Sequence, residues 1–221
     1  MEDLKRAAVP HHDPEYQRPI NSRYVDPVDV IWLSTATRLQ LTLRRHPDIF
    51  SMTDGKGLLC LGTRDDLDED DSLAQMFFHE VCHWITNGRD SYHERDWGFP
   101  IWGPHDCREH ACLRLQAWWS GRHGIRELFG PTGEYRQYYD RIPDDPLQPL
   151  DQGEWERKVA MLAAAAIQRA QGQPWWEPIE SAMAATRAIR DTIAPFVPDY
   201  QSELPDDPLP LFWGQRHRLD G

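Results

Sequence analysis

The stretch SLAQMFFHEVCHWITNG, residues 72–88, decides the fold. Ser72 ahead of an apolar run is an N-cap signal, because its hydroxyl can accept from a free amide of the first helical turn. Gly88 marks the far end, since glycine readily takes the left-handed backbone that closes a helix. Leu73, Met76, Phe77, Val81, Trp84 and Ile85 wrap the helix on more than one side, the pattern of a buried helix. His79, Glu80 and His83 lie inside that buried segment, so each needs a partner. His79 and His83 are four residues apart and project from one face, one turn apart. Two imidazoles at that spacing can reach one tetrahedral metal ion. Glu80 points to the side, where it can take a proton from a water on that ion without ligating it. Two plainer readings compete. HExxH is short enough to arise by chance, and paired histidines can be satisfied core residues. The apolar, well-capped helix around the motif favours the metal.

Working outward, IFSMTDGKGLLCLGT (residues 49–63) holds two apolar runs around Asp54-Gly55-Lys56-Gly57. Asp-Gly between apolar runs is a hairpin signal and predicts strands near 49–53 and 57–62. The acidic run Asp65, Asp66, Asp68, Glu69, Asp70, Asp71 reads as the entry to the 72–87 helix, complementing its dipole and capping its amides. A calcium loop is the sharper reading, but the EF-hand spacing and its glycine are missing. Upstream, Val28, Ile31, Trp32, Thr35, Leu39 and Leu43 predict an amphipathic helix from Pro27 to about Arg45, with β-branched residues weakening its second half. Downstream, residues 88–104 read as loop. A second helix starts at His105 or Asp106 and runs to Ser120, ended by Gly121. Further helices are predicted over Gly133–Arg141, Glu154–Gln171 and Pro174–Thr192, with loop from Pro143 to Gly153. The expected organisation is an extended arm (1–26), one domain (27–193) and a proline-rich tail packed on it (194–221). The class is α+β, mostly helical, with a small sheet or hairpin before the HExxH helix.

A hydrolytic zinc site needs a third protein ligand and an open position for water. Glu109, in HDCREHACLRLQAWW (residues 105–119), shares a helical face with Cys112, Leu113 and Gln116. His105 lies one turn before it on that face. Glu109 is preferred because ligation from helix to helix sets the ion on rigid elements. His105, His93, Asp90 and Asp96 are the alternatives. With Glu109 as ligand, His105 can orient a ligand or donate to a developing oxyanion.

These residues resemble those of the gluzincin metallopeptidases, in which HExxH on one helix is joined by a glutamate from a following helix. The resemblance covers residues 47 to 120. It implies His79, His83 and Glu109 as zinc ligands, Glu80 as the catalytic base, and a zincin-like fold whose hairpin edges the substrate cleft. It makes a peptide or protein the expected substrate. The metzincin form HExxHxxGxxH is not met, because Thr86 stands in the place of its glycine and Arg89 in that of its third histidine. Two other functions compete with a zinc peptidase. One is a non-proteolytic enzyme with zinc or iron, since histidine and carboxylate ligands do not select zinc alone. The other is a scaffold whose metal is closed by four protein ligands.

The bulk numbers narrow the partners. A net charge of -12 argues against nucleic acid and an anionic membrane, where affinity comes from clustered Lys and Arg. No run reaches the roughly 18 apolar residues of a membrane span. The first residues lack the apolar segment of a secretory signal, so the chain reads as cytoplasmic. Cys60, Cys82, Cys107 and Cys112 show no CxxC pair and read as free and buried. Oligomeric state has no sequence signal. His110 and Asp106 read as solvated polar groups, His123 as loop, and His11 and His12 as part of the arm. Tyr135, Tyr138 and Tyr139 read first as packing, with an oxyanion contact the sharper alternative. Some of the ten tryptophans, which include the pairs Trp118-Trp119 and Trp175-Trp176, are expected to pack between helices.

Overall fold

A computed structural model describes residues 19, 24–63, 66–67, 71–100, 106–131 and 133–196. The fold is α+β and mostly helical, with a small three-stranded sheet. Helix α1 spans Pro27–Arg38, followed by strands β1 (Thr42–Arg45), β2 (Ser51–Thr53) and β3 (Leu58–Leu61). Then come α2 (Leu73–Asn87), α3 (Cys107–Arg122), α4 (Arg136–Arg141), α5 (Glu154–Ala170) and α6 (Trp176–Ile193). The expected arm up to residue 23, Pro19 apart, the tail beyond residue 196, and His105, His11 and His12 lie outside the described residues.

The predicted hairpin is present. β2 pairs antiparallel with β3, with Met52 opposite Cys60. The upstream helix is shorter than its pattern suggests. Asp26 caps α1 by accepting from Val28 N at 2.8 Å, but the helix stops at Arg38. Gln40 turns the chain at φ 60°, and Thr42–Arg45 becomes β1, parallel to β3. Leu39 and Leu43 keep helical spacing, yet pairing along the open edge of β3 draws Thr42–Arg45 into strand, and tertiary contacts override the periodicity. β3 is therefore the central strand, and Leu59, Cys60 and Leu61 are buried.

α2 has the predicted ends. Ser72 Oγ accepts from Gln75 N at 3.1 Å, and Gly88 closes the helix at φ 95°. Of the acidic run, Asp65, Asp68, Glu69 and Asp70 lie outside the described residues; Ser72 supplies the cap, the first turn of α2 holds no acid, and Asp66 accepts from Thr63 N at 3.1 Å. Arg169 of α5 satisfies the last carbonyls of α2, donating to Ile85 O at 3.0 Å and Thr86 O at 2.6 Å. A cation at a helix C-terminus also complements the helix dipole. α3 runs through Gly121 to Arg122, and Gly124 at φ 67° takes the left-handed position that Gly121 was expected to hold.

The core forms around α2. Trp32, Phe77, Phe78, Trp119 and Phe129 are each at most 0% exposed and meet edge to face or tilted, with Trp32 and Phe129 centroids 5.3 Å apart. Each such ring stabilises by about 1.5–3 kcal/mol through burial alone. Trp32 Nε1 donates to Thr186 Oγ1 at 3.0 Å and ties α1 to α6. α3 is held to α5 by the buried pair Arg114–Glu156 at 2.6 Å, with Tyr138 on both partners. No helix among the described residues is long and apolar enough to cross a membrane.

Candidate metal centre

Burial is nearly continuous around α2, and His79, His83 and Asn87 form the half-buried stripe along it. Glu109 sits in the first turn of α3, which packs beside this stripe. An acid there has a plain structural role at a helix N-terminus. Its contacts go further. His79 Nε2 lies 3.2 Å from Glu109 Oε1, and His83 Nε2 lies 3.1 Å from Oε2 and 3.2 Å from Oε1. One ligand atom from each of the three residues falls within 4.8 Å of the others. Among the described residues no other His, Cys, Asp or Glu group clusters in this way.

Two of the three separations in the donor set match those of a tetrahedral ion. With metal–nitrogen distances near 2.0–2.1 Å, tetrahedral ligand atoms stand about 3.3 Å apart, and both histidines hold their Nε2 at 3.2 Å from one carboxylate oxygen. The same separations also suit hydrogen bonds from protonated imidazoles. The hydrogen bond on the far side of His79 favours ligation. Gln116 Nε2 donates to Phe129 O, which turns Gln116 Oε1 toward His79 Nδ1 at 3.0 Å. Nδ1–H then donates to Oε1, which leaves Nε2 as the nitrogen on the Glu109 side: it carries a proton towards the carboxylate in the metal-free protein and would offer its lone pair to an ion that displaces that proton. An oriented tautomer of this kind is the usual support of a metal-bound imidazole.

The metal-free electrostatics belong to the same cluster. Burial opposes charge on His79, but Glu109, with Glu80 and Gln116 adding to it, raises its pKa to about 9. Burial would raise the Glu109 carboxyl, yet His83 and His79 hold it well below the ordinary range. Cys82 and Cys112 are neighbours of the cluster in the chain, and burial together with Glu80 and Glu109 pushes both thiols well up. They stay protonated, and such thiols are poor ligands. All four cysteines are free and buried.

Glu80 stands beside the cluster. Ser51 Oγ on β2 donates to Glu80 Oε1 at 2.6 Å, and Glu80 Oε2 lies 3.5 Å from His83 Nδ1. The hairpin thus reaches the HExxH helix through this carboxylate. The side chains of His79, His83 and Glu109 remain 13–15% exposed, so solvent reaches the centre.

The other candidates go elsewhere. Asp96 Oδ1 accepts from Thr53 N at 2.9 Å, and Asp90 and His93 are exposed. Asp106 caps α3 and pairs with Arg108, and His110 stacks on Tyr138. His123 pairs with Glu180 at 3.1 Å. Tyr139 donates to Arg126 O at 3.1 Å and Tyr138 to Glu156. Sequence reading placed Gln116 on the face of Glu109 without a role. A lone amide among apolar helix residues, which needs a buried partner, was the signal. Ser51 and Phe99, whose ring stacks on His83 at 4.2 Å, carried none. A cavity of about 730 Å³ opens elsewhere, between the start of α1, the start of α2 and the end of α6, and contains none of the cluster residues. No protein-family model matches the chain, and no curated protein and no solved structure matches it.

Proposed function

We propose that this protein is a zinc-dependent metallohydrolase with a zincin-like centre, acting on a peptide or protein. One observation carries the reading: two imidazole Nε2 atoms and the Glu109 carboxylate converge within 4.8 Å, with Glu80 on the adjoining face. A bound Zn2+ would supply Lewis acidity and bring the pKa of a water to about 7. His79, His83 and Glu109 would hold the ion, and Gln116 fixes which His79 nitrogen faces it. Glu80, steadied by Ser51, takes the proton of the attacking water and returns it to the leaving amine. β2 is one of the two edge strands of the sheet and reaches Glu80 through Ser51, which sets the hairpin beside the proposed base.

The test is elemental analysis of purified protein, followed by hydrolysis of casein with zinc removed and restored. The expected result is one zinc per chain, activity lost to a chelator and regained with zinc, and Glu80→Gln inactive with its zinc retained. Equal activity in Glu80→Gln would contradict the proposal. Two histidines and one carboxylate also suit non-haem Fe(II). A stoichiometric iron content with no gain from zinc would move the assignment there.

A further inference from the structure

The turn from Glu94 to Phe99 is strained at its centre. Asp96 (φ 49°, ψ 29°) and Trp97 (φ 48°, ψ 33°) are both left-handed, and Gly98 follows at φ 76°. A bulky residue in that region is an outlier, and such strain persists where the surroundings over-determine it. Here they do. Asp96 holds Thr53 N–H of the edge strand, and Asn87 Nδ2 donates to Trp97 O at 2.6 Å. Arg108 Nη1 donates to Gly98 O at 3.1 Å and to Asn87 Oδ1 at 3.0 Å. Trp97 is 1% exposed and stacks on Trp84. A Cβ on Gly98 would stand 2.4 Å from Glu94 Oε2.

What the strain delivers is the position of Phe99. Its ring lies flat on His83, with centroids 4.2 Å apart and planes at 12°. The Arg108 guanidinium covers the same ring at 4.7 Å. Asn87 is one turn beyond His83 on α2, and Arg108 precedes Glu109 on α3, so the staple joins the two ligand helices at their ends.

We propose that this turn is a positioning device for the metal centre, in which Phe99 fixes the plane of the His83 ring and Arg108 fixes Phe99. The proposal rests on the metal reading above. Rotation of His83 about its Cβ–Cγ bond swings Nε2 off the ion. A flat aromatic wall against the ring blocks that rotation and keeps water from one face.

Cobalt(II) titration of the full chain tests it, read by affinity and by the visible absorption of the bound ion. Phe99→Leu keeps apolar volume without the flat ring. It should bind about 10-fold more weakly, the lower end for residues that support a ligand, with an altered spectrum. Phe99→Tyr should restore both. Arg108→Lys, which keeps the charge but not the fork, should shift both in the direction of Phe99→Leu, and it carries the test if Phe99→Leu does not fold. A lower melting temperature with wild-type affinity and spectrum in Phe99→Leu and Arg108→Lys would overturn this proposal alone. Failure of the wild-type protein to bind cobalt would overturn the metal reading and this proposal with it.

Discussion

His79 and His83 are one turn apart on the same helix, yet they are supported by opposite means. His79 leans on a buried polar chain, Nδ1 to Gln116 and Gln116 to the Phe129 carbonyl, contained within the helical core. His83 leans on the face of Phe99, which a loop presents and an arginine covers. A hydrogen bond selects a tautomer and a direction, so the His79 side sets which nitrogen is offered. A stacking contact selects a plane, so on the His83 side Phe99 sets the ring orientation, while the polar group facing its far nitrogen is the more distant Glu80 carboxylate, 3.5 Å from Nδ1. One half of the site is held by helix packing, and the other by the strained turn and the sheet edge.

The largest expected effect tests whether the two sides serve one ion. His79→Ala and Glu109→Ala should each abolish stoichiometric zinc binding in elemental analysis, because each removes a ligand outright. Retained zinc in both would separate the cluster from any metal. Next, Gln116→Leu leaves the His79 Nδ1 and Phe129 O unpartnered. It should cost about 1–3 kcal/mol in chemical denaturation and about 10–100-fold in zinc affinity. If Gln116→Leu disturbs affinity no more than Phe99→Leu, the polar side is not the firmer one.

The third prediction concerns pH in the metal-free protein. The His79 pKa is raised from 6.5 to about 9, chiefly by Glu109 against the cost of burial. Its contribution to stability is therefore full below pH 6.5 and is lost as pH rises through about 9. Glu109, held low by His83 and His79 against burial, contributes above its ordinary value of 4.5 and loses that contribution as pH falls below it. Melting temperatures of metal-free protein should decline from pH 6.5 to 9, and zinc binding at neutral pH should release a proton from His79, measurable by calorimetry in buffers of different ionisation enthalpy. A flat profile over that range would remove the His79–Glu109 coupling. The smallest effect is local: Ser72→Ala removes the cap of α2 and should cost about 1 kcal/mol without changing the metal stoichiometry.

The same division governs what the sequence made legible. α2 was readable from Ser72 to Gly88 because capping, burial and the motif all agree within seventeen residues. Spacing put Glu109 on one helical face with Cys112 and Gln116, but His105 shared that face, and only the packing of α3 on α2 brings Glu109 to His79 and His83. The sheet was half-readable. Asp54-Gly55 announced the hairpin, but β1 was hidden inside a helical spacing that its pairing with β3 overrode. Gly121 misled for a related reason, since a glycine stops a helix only where the chain must turn left-handed, and that position is Gly124. Phe99 and Ser51 reach the site through a turn and an edge strand whose paths depend on distant partners, Thr53, Asn87 and Arg108. Local sequence carries no record of those partners.

The central claim is that one ion joins α2 to α3 through these three side chains. Anomalous scattering at the zinc edge from crystals of the zinc-loaded protein tests it most directly. A single peak is expected about 2.0–2.2 Å from Nε2 of His79, Nε2 of His83 and a Glu109 oxygen, with a fourth position free of protein. A map with no peak between these residues, or with a fourth protein ligand closing the site, would contradict it.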